Sequence, residues 1–103
     1  HDEQVTWTGQ LPEAAMAVIA HLLEGRRLGG VTWGAAARLA REGMPRDVMA
    51  GAEVILANRR QVAATLDALA GELDELRRLV AAGDVVGVRA FFEAAARFRP
   101  RAS

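Results

Sequence analysis

The chain has 103 residues, room for one domain with a modest core. Thirteen acidic and thirteen basic side chains cancel, so no net field draws it to nucleic acid or an anionic membrane. The absence of cysteine excludes disulfides, thiolate metal sites and a cysteine nucleophile, and no apolar run approaches the roughly 20 residues that cross a bilayer.

The pattern is helical from end to end. β-branched residues are sparse, tyrosine is absent and no period-two run persists, so the expected fold class is all-α with four to six helices. Asp2 is placed to cap a first helix that carries Glu3 and Gln4 in its opening turn and runs to about Glu24. Pro12 lies inside that span, where it removes a backbone donor and crowds the preceding turn. A kink or a fresh start near Gly9 is therefore expected. Gly25 to Gly30, with Arg26 and Arg27, reads as a loop.

Thr32 is placed to cap a short alanine-rich helix that ends at Gly43, a residue suited to a left-handed C-terminal position. Pro45 then opens a third helix in its first turn. Along that helix the apolar positions Val48, Ala52, Ile55, Val62, Leu66, Leu69, Leu73, Leu76 and Val80 form a heptad seam, which calls for a partner helix. Arg59 is a polar interruption of the seam, and Asn58 beside it is a candidate cap if the helix breaks there. Asp74 and Arg78 form an exposed i,i+4 pair. Gly83 stops the helix and Asp84 caps the next one. In that last helix Val85, Val88, Phe92 and Ala95 make a broad apolar face, Glu93 to Arg97 supports the outer side, and Pro100 ends it.

The residues also carry a family pattern. Ile55 to Arg60 read Ile-Leu-Ala-Asn-Arg-Arg, followed by the leucine ladder, then Ala-Ala-Gly-Asp at residues 81–84 and Ala-Phe-Phe at residues 90–92. With the opening His1-Asp2 and the later Gln10-Leu11-Pro12, the chain resembles the C-terminal helical domain of the prephenate/arogenate dehydrogenase family. The resemblance covers nearly the whole chain, densest from Ile55 to Phe98 and poorest between Gly43 and Val54. In that family the domain pairs two subunits and closes one side of a substrate cleft, while the upstream domain binds the nicotinamide cofactor and holds the catalytic histidine.

The resemblance therefore implies a single helical domain over residues 1–103, paired in an interleaved homodimer and preceded in a cytoplasmic parent by a dinucleotide-binding domain. The parent would oxidise a cyclohexadienol with NAD or NADP in tyrosine or related aromatic biosynthesis. This piece alone would bind no cofactor and perform no hydride transfer. Consistent with that, Gly29-Gly30 follows no strand and makes no dinucleotide fingerprint. The chain begins with His1 rather than methionine, so a cut piece or a processed product is expected.

Three residues are the candidate substrate contacts. The family's first helix carries Ser-His-Leu-Pro-His. Here Gly9 stands at the serine, Leu11 and Pro12 match, and Gln10 and Glu13 replace the two cleft-facing histidines. A second family element, Gly-Phe-Arg-Asp-x-Thr-Arg-Ile-Ala, places Trp33 at the phenylalanine, Ala35 at the aspartate, Ala37 at the threonine and Arg38 at the arginine that holds a substrate carboxylate. A guanidinium fork suits that task through two charge-assisted hydrogen bonds. The family's following tryptophan has no counterpart, and about four residues are inserted near Gly43 relative to the family pattern.

The loss of both histidines points to a variant substrate, such as one with an amine on the ring, which Glu13 would suit. It equally supports a non-catalytic helical module that keeps the fold for pairing. A small helical chorismate mutase fits the length but lacks the expected arginine-rich first helix. His1 reads as structural, His21 as surface or partly buried, and the two are too far apart in sequence to suggest a metal site.

Overall fold

A computed structural model describes residues 6–24, 38 and 41–99 of the chain. Their regular structure is all helical, with no strand among the described residues. Two compact units divide the chain, His1–Leu66 and Asp67–Ser103, with the boundary inside the longest helix.

The first unit opens with a π-helical turn, Thr6–Gln10, leading into α1, Leu11–Glu24. Pro12 is the second residue of α1, directly after the π-helical turn, so its missing N–H falls where one winding gives way to the other. The wider winding ahead of it gives its ring room against the preceding turn. The expected break near Gly9 is thus a change of winding between Gln10 and Leu11. The Asp2 cap, the Gly25–Gly30 loop and the Thr32 cap lie outside the described residues.

Arg38, Arg41 and Glu42 have helical backbone, and the chain turns at Gly43. Gly43 is not left-handed as expected: among the described residues only Gly83 has positive φ. A turn closed by Met44 N–H donating to the Arg41 carbonyl (3.3 Å) removes the need for it.

Helix α2 is Val48–Ala57, and its start corrects the expectation for Pro45. The cap is Asp47, whose Oδ1 accepts from the Ala50 N–H at 3.1 Å. A carboxylate satisfies a free helical donor, which a proline side chain has no means to do. Pro45 precedes the cap by two residues and lies against Gly51, where a Cβ would come within 2.6 Å of the proline Cγ. That close approach accounts for a glycine inside a helix.

Asn58 ends α2 with φ −112° and ψ 31°, its N–H donating to the carbonyls of Val54 (3.3 Å) and Ile55 (3.1 Å). Its own carbonyl accepts from Val62 N–H at 2.9 Å and so opens α3, Arg59–Ala81. The break falls where the seam is interrupted by Arg59. One residue serves both helices through its backbone, while its side-chain amide is turned to another use. In α3 Val62 and Thr65 are buried, and Thr65 Oγ1 donates to the Val62 carbonyl at 2.8 Å.

In the second unit α3 ends in a left-handed cap. Gly83 has φ 67°, its N–H donates to the Val80 carbonyl and the Asp84 N–H to the Leu79 carbonyl, both at 3.0 Å. This double closure satisfies two orphan carbonyls and needs a residue free of Cβ strain at position 83. Asp84 Oδ1 then accepts from Gly87 N–H at 2.8 Å and starts α4, Val85–Ala96. A Cβ on Gly87 would meet Leu79 Cδ2 at 2.7 Å, so the corner also packs a leucine onto bare backbone.

The expected Asp74–Arg78 pair forms at 3.4 Å, and Arg77 reaches Asp74 as well at 3.0 Å. Glu93 pairs with Arg89 at 3.4 Å rather than with Arg97, a correction with a simple cause. Arg97 is the C-cap of α4, past the last helical turn, so the regular i,i+4 geometry stops short of it. Along the heptad seam Val62 alone is buried. Ile55, Leu66, Leu69 and Leu76 are half-buried, and Val48, Leu73 and Val80 are exposed.

Candidate functional site

The polar centre of the first unit is built from two side-chain ties between segments far apart in sequence. Thr6 Oγ1 donates to Gln61 Oε1 at 3.2 Å, and Asn58 Nδ2 donates to Gln10 Oε1 at 3.3 Å. Rising residue number on the first segment pairs with falling number on the second, so the π-turn and the start of α3 run antiparallel. Thr6 is fully buried and Gln10 is 4% exposed. Burying such groups without partners costs free energy, and these bonds offset that cost. Among the described residues no buried side-chain nitrogen or oxygen lacks a hydrogen bond.

Against this tie lies an open cleft of about 520 Å³, lined by Leu56, Ala57, Asn58, Arg59, Arg60 and Gln61. It follows from the break itself: where α2 ends and α3 begins, the backbone leaves the regular helical path and a concavity opens beside it. The residues along it are two arginines, two amides and two aliphatic residues. A second concavity of about 440 Å³ lies in the other unit at the α3–α4 corner, walled by Leu79, Val80, Val85 and Val88, with Asp84 and Arg89 also lining it. That groove is largely apolar, and its described lining contains no serine, threonine, histidine or lysine.

The three residues singled out from the sequence occupy different environments. Gln10 is buried and bonded to Asn58, Glu13 is half-buried in the first turn of α1, and Arg38 is exposed. Among the described residues no hydrogen bond or ion pair joins the three to one another. Gln10 therefore has an internal partner that helical spacing alone did not disclose. Thr6 and Gln61 were not candidates at all. The only hint available was Asn58, a polar residue at an interruption of the apolar seam. His21 is exposed, and among the described residues no group of three His, Asp or Glu side chains is arranged to hold a metal ion. No described helix is long and apolar enough to cross a membrane.

No known protein family, curated protein or solved structure matches this chain.

Proposed function

We propose that this chain is the C-terminal helical half of a prephenate/arogenate dehydrogenase-like enzyme, pairing two subunits and closing one side of the substrate cleft. The observation that carries the reading is the segment from Ile55 to Phe98. Its Asn-Arg-Arg step occupies the α2–α3 break, its leucine ladder runs along α3, and its Gly-Asp step forms the cap between α3 and α4. In this reading the parent works in the cytoplasm with NAD or NADP held by an upstream domain. Arg38 takes a carboxylate of the cyclohexadienol substrate, and Glu13 faces the ring substituent. A homodimer is supported by the seam, whose Val48, Leu73 and Val80 stand 71%, 55% and 60% exposed in a single chain. Apolar ladders of that kind gain stability by pairing.

The test is reduction of NAD or NADP by the complete gene product offered prephenate, arogenate and the amino analogue in turn. Turnover of any one, lost in Arg38→Gln, supports the proposal. A complete product that reduces neither cofactor with all three overturns it. A second reading, a non-catalytic helical pairing module, is favoured by Gln10, whose buried side chain is committed to Asn58. Dimerisation without turnover is its signature.

A further inference from the structure

We draw no further inference here: the strongest candidate, the apolar groove at the α3–α4 corner with Val80 and Val85 exposed along it, carries nothing, because a second copy laid on it is the pairing already proposed and nothing in the structure shows another occupant.

Discussion

Replacing Gln10 with alanine removes a side chain that is 4% exposed together with its hydrogen bond to Asn58. The two buried methylenes contribute about 0.8 kcal/mol each. A neutral hydrogen bond contributes about 0.5–1.5 kcal/mol net, and at 3.3 Å this one belongs at the lower end. Asn58→Ala loses the same bond, but its side chain is only half-buried, so less apolar area is lost with it. The expected costs are therefore about 2 kcal/mol for Gln10→Ala and about 1 kcal/mol for Asn58→Ala. The pair should be non-additive by about 0.5–1 kcal/mol, since the second substitution finds the bond already gone. Urea unfolding followed by far-UV circular dichroism on the four members of the cycle measures this. In a chain of this size each kcal/mol also moves Tm by roughly 4–8 °C. Single effects that add to within about 0.3 kcal/mol would mean the tie contributes nothing, and the argument that it anchors the α2–α3 break would fail.

Gly51→Ala normally gains about 0.5–1 kcal/mol inside a helix, but here it should lose stability, because the new Cβ meets Pro45 Cγ at 2.6 Å. In a Pro45→Gly background, which lacks both the Cγ and the Cβ that would lie 2.8 Å away, Gly51→Ala should show its usual gain, and a stabilising single substitution in a melting curve would refute the close approach. Asp84→Ala should cost about 1 kcal/mol through loss of the cap to Gly87 N–H, measurable by urea unfolding, and Asp84→Asn should retain most of it. Gly83→Ala should cost about 1 kcal/mol as well, set by φ 67°, and Gly83→Asn less than that. Asp74→Asn breaks two ion pairs whose side chains are 55–66% exposed, so a change under about 0.5 kcal/mol is expected at physiological salt, and a larger loss would show an interaction beyond the surface pairs.

Helix type and most helix ends were legible because they are decided within a few residues. Gly83 and Asp84 announce a stop and a start, since only a residue without Cβ strain closes that cap and a carboxylate follows to accept the next free donor. The break at Asn58 was visible as a polar step in an apolar ladder. Competition between neighbouring signals was harder to read. Pro45 and Asp47 both mark a helix start, and the residue with an acceptor became the cap. Arg89 and Arg97 both lie four residues from Glu93, and the one still inside the helix pairs with it.

By itself, then, the sequence determined a helical chain with balanced charge, its long apolar ladder and the positions where that ladder is interrupted. These follow from periodicity and from side chains acting on their own backbone. Only the tertiary structure decided that Gln10 and Thr6 are inside, that their partners are Asn58 and Gln61, and that Arg59 and Arg60 flank a cleft. Those partners are 48 and 55 residues apart. The spacing of polar residues shows where hydrogen bonds are possible, but burial determines which of them must form, and burial is a property of segments once packed.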